Sequence, residues 1–259
     1  MSNFSGRKSS VVGIYLLREL AEAGFKTFSI KDAKKYAQKL KISVNYIPEA
    51  LVHLQKNNWV TRIKRGLYAF TPAFGMQMLH EFVVAQSLVP SSIISHWTAM
   101  HYHHLTQQTP NVIFSTLPAS TSVPRKIDKN KYRFVYARKE LFYGIQKIWL
   151  DEVQVAITYL ERTLIDGLRQ PKFCGDFYEV MQAFKMAKDR MNIEKLIDYA
   201  LKCDSATAKR LGWVLENLGV SMKRLKALYL LPIKGYRKLD PSGLQKGKLN
   251  KKWMIQENI

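Results

Sequence analysis

One short segment near the N-terminus carries a series of side chains that form hydrogen bonds. Asn45, Tyr46, Glu49, His53 and Lys56 recur at helical spacing, so they share one face of a helix. Their amide, hydroxyl, carboxylate, imidazole and ammonium groups are of the types that hydrogen-bond to base edges in a DNA groove. The segment therefore predicts a recognition helix that enters a major groove with its N-terminal end first.

A second group of residues adds polar groups and positive charge around this helix. Arg62, Lys64 and Arg65 lie at a tight turn that follows it. Cations at a hairpin tip contact phosphates, which adds affinity and salt dependence without reading the sequence. Ser29 and Lys31, at the start of the preceding helix, complete the predicted set of DNA-binding residues.

Three helices are predicted to position these side chains. Ser29 is expected to cap the second helix, where Asp32 adds negative charge to the first turn, and Asn45 is expected to cap the third. Apolar residues at helical spacing place the three helices over residues 9–23, 29–40 and 45–56.

A β-hairpin is predicted after the third helix. Its strands cover residues 59–63 and 67–70, and Gly66 supplies the positive backbone angle of the turn between them. This element order predicts a winged helix-turn-helix domain over residues 1–72, a segment with 13 Lys and Arg against 4 Asp and Glu. Because helices, wing and charge agree, a DNA-binding domain is favoured over an ordinary solvated basic surface.

The composition of the whole chain narrows the class of partner. The net charge of +21 and the pI of about 9.9 favour a polyanion, and nucleic acid before a membrane surface. Because the sequence has no apolar run long enough to span a bilayer and no apolar signal core at its start, we expect a cytoplasmic protein. Cys174 and Cys203 lack metal-ligand spacing and fit a reducing compartment.

We call the winged helix-turn-helix domain over residues 1–72 the head. Beyond the head, the pattern predicts a mixed α/β (α+β) domain over residues 73–233. Its first half contains apolar, β-rich runs that predict a small sheet, at residues 112–116, 132–136, 145–150 and 153–156. From residue 158 the chain is predicted to be helical to about residue 229. Residues 234–259 form a basic tail with seven Lys and Arg, rich in glycine, which we expect to be partly disordered. The sequence leaves open whether this tail binds phosphates or a partner, or is a solvated tail pinned by Trp253 and Met254.

The start of the helical half has the spacing of a capping box. Thr158 and Glu161 are three residues apart, so each side chain can satisfy the backbone amide of the other. Arg162 and Asp166, four residues apart, are predicted to pair on the exposed side of the same helix.

No group of residues predicts catalysis, a metal or a cofactor. Four histidines, His96, His101, His103 and His104, lie close together, but without a carboxylate or cysteine at ligand spacing. The Asp151-Glu152 pair lacks the third acid and lysine of a nuclease, and a turn between two strands is the simpler interpretation. We expect a protein that is not an enzyme.

Three motifs follow one another in a recognisable order. They are Arg65-Gly66-Leu67-Tyr68, the run Ser95-His96-Trp97-Thr98-Ala99-Met100-His101-Tyr102-His103-His104-Leu105, and Glu161-Arg162-Thr163-Leu164-Ile165-Asp166. In this order they resemble the AbiEi family, over roughly residues 9–230. One departure is that His103-His104 stand where a small residue or glycine is expected before the leucine.

The resemblance implies the function of both domains. AbiEi proteins are antitoxins of AbiE-type, type IV toxin-antitoxin pairs involved in abortive infection, a phage defence. Their N-terminal winged helix represses their own operon. Operator DNA, with inverted repeats, and a nucleotidyltransferase-like toxin are therefore the implied partners, and the toxin is counteracted without the need for a stable complex.

Two alternatives to this interpretation stay open on the sequence. One is a ligand-sensing winged-helix transcription regulator unrelated to toxins, whose second domain binds a small molecule. The other is a nucleic-acid-processing enzyme that its basic head delivers to the substrate. A neighbouring nucleotidyltransferase gene would favour the antitoxin over the sensor, and metal-dependent cleavage of DNA would favour the enzyme.

Overall fold

A computed structural model describes residues 3–124, 131–150 and 152–259. The chain divides into two compact units, and it passes from the first to the second between Leu88 and Val89. The first unit thus continues beyond residue 72, where the sequence places the end of the head. Among the described residues, no helix is long and apolar enough to cross a membrane.

The first unit has the element order predicted for a winged helix-turn-helix. Its elements are α1 (Asn3–Glu22), β1 (Thr27–Ser29), α2 (Ile30–Lys39), α3 (Ile47–Lys56), β2 (Val60–Lys64), β3 (Leu67–Phe70) and α4 (Glu81–Leu88). The strand β1, which the sequence analysis missed, pairs antiparallel with β3, and β3 pairs antiparallel with β2. The head is therefore three helices against a three-stranded sheet.

Aromatic and aliphatic side chains hold the head together. Phe28 of β1 stacks on Tyr68 with ring centroids 5.8 Å apart and contacts Phe70 at 5.4 Å. Leu51 and Leu54 of α3 are buried in the same core, as their helical spacing predicts. This core fixes α3 and the hairpin to one rigid body, so the polar groups on their outer faces are positioned together.

The second unit contains a five-stranded sheet followed by a helical half, which confirms the predicted mixed α/β class. The strands are β4 (Ile93–Ile94), β5 (Ile113–Pro118), β6 (Tyr132–Ala137), β7 (Ile145–Leu150) and β8 (Val153–Thr158), in the order β6-β5-β4-β8-β7. Strand pairs β5–β6 and β4–β8 are parallel, whereas β4–β5 and β7–β8 are antiparallel. Thus β6 and β7 form the edges.

Six helices of the second unit can be named from the described chain. They are α5 (His96–Tyr102), α6 (Leu160–Arg169), α7 (Phe177–Ala187), α8 (Ile193–Leu201), α9 (Ser205–Asn217) and α10 (Met222–Leu230). Their apolar faces form one core together with Trp253 and Ile255 of the C-terminal segment.

The basic tail is folded, contrary to the expectation of partial disorder. It forms β9 (Arg237–Lys238), β10 (Lys248–Asn250) and β11 (Ile255–Glu257), which make a small sheet. Trp253 is fully buried, and its indole N–H donates to Glu216 over 2.6 Å. A buried indole with a satisfied N–H outweighs the glycines and charges that suggested a solvated tail.

Two predictions about α6 are wrong. The helix begins at Leu160 without a side-chain cap, because the Thr158 hydroxyl shares a hydrogen bond with the Thr163 hydroxyl at 2.8 Å. Glu161 is buried and accepts from the backbone amide of Asn192 over 3.1 Å. The capping box is thus replaced by contacts to neighbouring elements.

The second error concerns the pair Arg162 and Asp166, which is buried and not exposed. Arg162 Nη2 lies 2.8 Å from Asp166 Oδ1, and both side chains are no more than 3% exposed. Arg162 also donates to the carbonyl oxygen of Leu141 over 2.6 Å. The i, i+4 spacing predicts the pair, but not which face of the helix the core covers.

Candidate nucleic-acid interface

The start of α2 is held by the predicted cap, which uses the Ser29 side chain. The Ser29 hydroxyl donates to Asp32 Oδ2 over 2.6 Å and accepts from the Asp32 amide over 3.1 Å. The hydrogen bond from the Ser29 hydroxyl, and that from its backbone amide, lower the pKa of Asp32. Because its one hydroxyl proton is used here, Ser29 positions the helix, and a donated phosphate bond is not open to it.

The N-terminal end of α3 is preceded by a 3-10 turn, Val44–Tyr46, and not by an Asn45 cap. Tyr46 occupies the capping position without a side-chain hydrogen bond, so the predicted role of Asn45 as a cap is wrong. The reason is that Asn45 lies within the helical turn and not before it. Asn45 and Tyr46 are consequently both exposed at the leading end of the helix, where a recognition helix meets base edges.

Farther along α3, the polar face continues as predicted. His53 Nε2 lies 3.7 Å from Glu49 Oε1, one helical turn earlier, and Lys56 is exposed in the last turn. The imidazole of His53 is a polar group on this face, whereas the Glu49 carboxylate would repel phosphate. This end of α3 can therefore contribute His53 and Lys56 to binding.

The wing is a hairpin with an irregular tip. The register of β2 against β3 shifts between Arg62 and Lys64, and Gly66 has a φ of 79°, the left-handed conformation that the turn requires. Arg62 and Arg65 are exposed at this tip. Their guanidinium groups are the bidentate donors that suit phosphate oxygens.

Lys64 has a different environment from that predicted. Its ammonium group donates to the backbone carbonyl of Leu88, the last residue of α4, over 2.9 Å. A lysine at a helix C-terminus satisfies a carbonyl that has no partner within the helix. Partial burial lowers the pKa of Lys64. Lys64 thus ties the wing to α4 through one of its three ammonium donors, and its phosphate contact stays a prediction.

A row of lysines on α2 extends the basic surface beyond the predicted residues. Lys31, which the sequence analysis included, shares its exposed face with Lys34, Lys35 and Lys39. Their i, i+3, i+4 and i+8 spacing was visible in the sequence and is the signal that would have found them. In a helix-turn-helix the first helix crosses the phosphate backbone, which is where these ammonium groups would bind.

The head also matches a known family by sequence. Residues 15–71 match the family model described as "Transcriptional regulator, AbiEi antitoxin". The head is therefore similar to the AbiEi family. This match confirms the resemblance to AbiEi proteins from within α1 to the end of the wing, the part that holds the candidate interface.

A solved structure has the same fold as this chain. It is the crystal structure of the RV2827C protein from Mycobacterium tuberculosis, with a TM-score of 0.72, covering 95% of this chain and 89% of that chain. The sequences are 12% identical, so the likeness shows the fold alone. No curated protein matches the sequence.

The two AbiEi-like motifs of the second unit lie together around a buried polar cluster. His96 Nε2 lies 3.4 Å from Gln170 Oε1, and its Nδ1 shares a hydrogen bond with the Ser95 hydroxyl at 2.8 Å. Burial lowers the pKa of His96, against the opposing charge of Asp166. Burial alone would also lower the pKa of Arg162, but the Asp166 carboxylate outweighs it and raises that pKa. This cluster connects the motifs of the second domain within its core.

The other candidate groups are not brought together. The His103 ring contacts the carbonyl oxygen of Thr158 at 2.7 Å, whereas His101 and His104 are exposed. Within the described ranges, no group of three or more His, Cys, Asp or Glu residues could hold a metal ion. Of the acidic pair considered for a nuclease, Asp151 lies outside the described residues.

The turn after α5 contains an unusual backbone conformation. His104 has a φ of 55°, in the left-handed region that favours glycine. This is the position where the family resemblance leads us to expect glycine or a small residue. The carbonyl oxygens of His103 and His104 accept from Arg190 over 3.1 and 3.3 Å, which holds the turn in place.

Proposed function

We propose that this protein is a DNA-binding transcriptional autorepressor and the antitoxin of a type IV, AbiE-like toxin-antitoxin system. It acts in the cytoplasm by binding and not as an enzyme. Its partners are double-stranded operator DNA, with inverted repeats, and a nucleotidyltransferase-like toxin that it counteracts without the need for a stable complex.

The observation that carries the DNA-binding part is that the leading end of α3 and the arginines of the wing are both exposed. Asn45 and Tyr46 present an amide and a phenol at the end of the helix that would enter a groove. Arg62 and Arg65 on the wing, with Lys31 on α2, supply cations on the flanking elements. Base-reading groups between phosphate-binding groups are what sequence-specific DNA binding requires.

The antitoxin part rests on the family description and on the order of the motifs. The matched family model covers the head alone, so the role proposed for the second unit rests on the motifs in that unit and on its size. It has a core of its own, which fits a domain with a separate task. In this proposal the head represses the operon and the second unit neutralises the toxin.

A reporter driven by the protein's own upstream DNA tests repression. Wild type is expected to repress it, and Arg65→Ala is expected to restore expression because a wing phosphate contact is lost. Lys226→Ala, an exposed lysine on α10, is the matched control and is expected to repress as wild type does. Equal repression by Arg65→Ala and wild type would remove the wing from the proposal.

Co-expression tests the antitoxin part. Growth arrest by a nucleotidyltransferase encoded beside this gene is expected to be relieved by wild type and equally by Arg65→Ala, since neutralisation does not need the operator. A neighbouring toxin that the wild-type protein leaves fully active would contradict the antitoxin assignment.

A ligand-sensing regulator is the second candidate, and one observation favours it. A cavity of about 440 Å³ in the second unit is lined by residues of α7, among them Met181 and Lys185, and by Asp240 and Asn258 of the C-terminal segment. Its volume is in the range of small-molecule sites. Release of the operator by a small-molecule extract of the host cells, blocked in a cavity-filling Met181→Trp variant, would favour this function.

A further inference from the structure

Strand β7 leaves one edge of the five-stranded sheet open. It pairs with β8 on one side, and the sheet order gives it no second neighbour among the described strands. An edge strand presents backbone N–H and C=O groups that can pair with another chain.

The direction of the backbone groups follows from the pairing of β7 with β8. The amide of Tyr159 donates to the carbonyl oxygen of Gly144 over 2.8 Å, just before the strand begins. Hydrogen-bonded and non-hydrogen-bonded pairs alternate along an antiparallel ladder. The backbone groups of Ile145, Lys147 and Trp149 therefore point away from β8.

The side chains at this edge are an exposed indole and an exposed ammonium. Trp149 is 67% exposed, although large aromatic residues are usually buried or lie in interfaces. Lys147 is exposed two residues earlier, on the same face of the sheet. A cation and an aromatic ring on one strand are complementary to the same pair on an antiparallel copy.

We propose that β7 pairs antiparallel with β7 of a second copy of the chain, with Ile148 on the two-fold axis. In this register Lys147 of one copy lies directly opposite Trp149 of the partner subunit, and the same contact repeats on the other side of the axis. Directly opposite residues on paired strands have Cβ atoms about 5 Å apart, within reach of a cation–π contact.

The charge on Lys147 selects this register from its nearest alternative. A register centred on Lys147 would place two ammonium groups directly opposite each other, which is destabilising. Centring on Ile148 replaces this repulsion with two cation–π contacts and still pairs the outward backbone groups of Lys147 and Trp149. The charge on Lys147 therefore favours the register centred on Ile148 over the one centred on Lys147.

This dimer would serve the function proposed above, although its geometry does not depend on that function. A two-fold axis between subunits matches the symmetry of an inverted repeat, so one dimer would bring two heads to one operator. The meaning of the dimer for repression rests on the proposed function, whereas its existence rests on the strand edge alone.

Sedimentation equilibrium of the full chain over a wide concentration range tests the proposal. Wild type is expected to dimerise reversibly. Lys147→Pro is expected to abolish the dimer, because the amide it removes points away from β8 and the internal ladder is kept. Trp149→Ala is expected to weaken association by about tenfold, the scale of the two exposed cation–π contacts that it removes from each dimer.

Tyr178→Ala is the matched control, because Tyr178 is 69% exposed but lies on α7. It is expected to dimerise as wild type does, and circular dichroism checks that each variant is folded. If Lys147→Pro does not fold, Trp149→Ala decides. A wild-type monomer at every concentration, or a dimer unchanged by both β7 variants, would overturn the proposal.

Binding to a single operator half-site separates this inference from the proposed function. Both β7 variants are expected to bind a half-site as wild type does and to lose cooperative binding to the inverted repeat. A dimer that binds no DNA would leave the β7 interface standing and refute the repressor. A protein that is monomeric but binds its operator would refute the β7 interface and leave the repressor standing.

Discussion

The ammonium group of Lys64 on the wing donates to the carbonyl oxygen of Leu88 over 2.9 Å. This bond joins the wing to the last residue of α4, at the point where the chain leaves the first unit. In the wing, Lys64 thus forms a hydrogen bond that holds the wing against α4, whereas the exposed arginines are available to DNA.

Lys64→Met should lower the stability of the head more than its DNA affinity. The substitution keeps the apolar stem but leaves the Leu88 carbonyl without its donor, which costs about 1 kcal/mol. Urea denaturation measures the change in the free energy of unfolding. A loss of DNA affinity as large as that of Arg65→Ala, with no loss of stability, would show that Lys64 binds phosphate after all.

Asn45→Ala and Tyr46→Ala should relax sequence preference. Each removes a group at the leading end of α3, and the discrimination against a wrong base should fall by about 1–3 kcal/mol. Fluorescence anisotropy against the operator and single-base variants measures it. Gln55→Ala, exposed at the far end of α3, is the control. Unchanged preference in both variants would remove α3 as the reading helix.

Arg162→Met should destabilise the second unit strongly. It leaves the buried Asp166 carboxylate without its partner, and breaking such a pair costs about 3–5 kcal/mol. The exposed pair Lys202 and Asp198 has the same i, i+4 spacing, with side chains 52% and 53% exposed. Lys202→Ala should cost less than about 1 kcal/mol. Equal losses in the free energy of unfolding for Arg162→Met and Lys202→Ala, measured by thermal and urea unfolding, would contradict the burial of the Arg162–Asp166 pair.

His104→Gly should stabilise the protein. A non-glycine residue in the left-handed conformation costs on the order of 1 kcal/mol, which glycine avoids. Differential scanning calorimetry should therefore show a higher melting temperature than for wild type. His101→Gly, within α5, is the control and should lower it. A lower melting temperature for His104→Gly would refute the strain at this position.

The Ser29–Asp32 cap should make stability depend on acid pH. The folded pKa of Asp32 lies below its ordinary value of 3.8, chiefly because of the Ser29 hydrogen bonds. Its stabilising contribution is complete above pH 3.8 and is lost as the pH falls through the folded pKa. Unfolding followed from neutral to acid pH should show a smaller decline in Asp32→Asn than in wild type. Stabilities that decline in parallel for wild type and Asp32→Asn would contradict the predicted contribution of the Ser29–Asp32 cap.

The sequence predicted the helices and hairpin of the head well, because each is defined by local signals. Ser29 with Asp32 marks the start of α2, and Gly66 marks the turn of the wing. The short strand β1 was missed, since three residues carry too little periodicity and gain their strand conformation from pairing with β3.

Tertiary contacts decided the positions that local signals could not. Lys64 and Arg65 are adjacent cations in the sequence, yet one is bonded to α4 and the other is exposed. Arg162 and Asp166 have the spacing of a surface pair, but helices packed around α6 bury them. Trp253 similarly draws the basic tail into the core of the second unit.

Sequence-specific DNA binding is tested by comparing the affinity of the purified protein for its own upstream DNA and for unrelated DNA over a salt series. We expect a preference for the upstream DNA that survives moderate salt, since base contacts at α3 add to the phosphate contacts. Weak binding that is equal on both DNAs and is lost as salt rises would contradict sequence-specific binding. It would mean that the net charge of +21 attracts any DNA without reading its sequence.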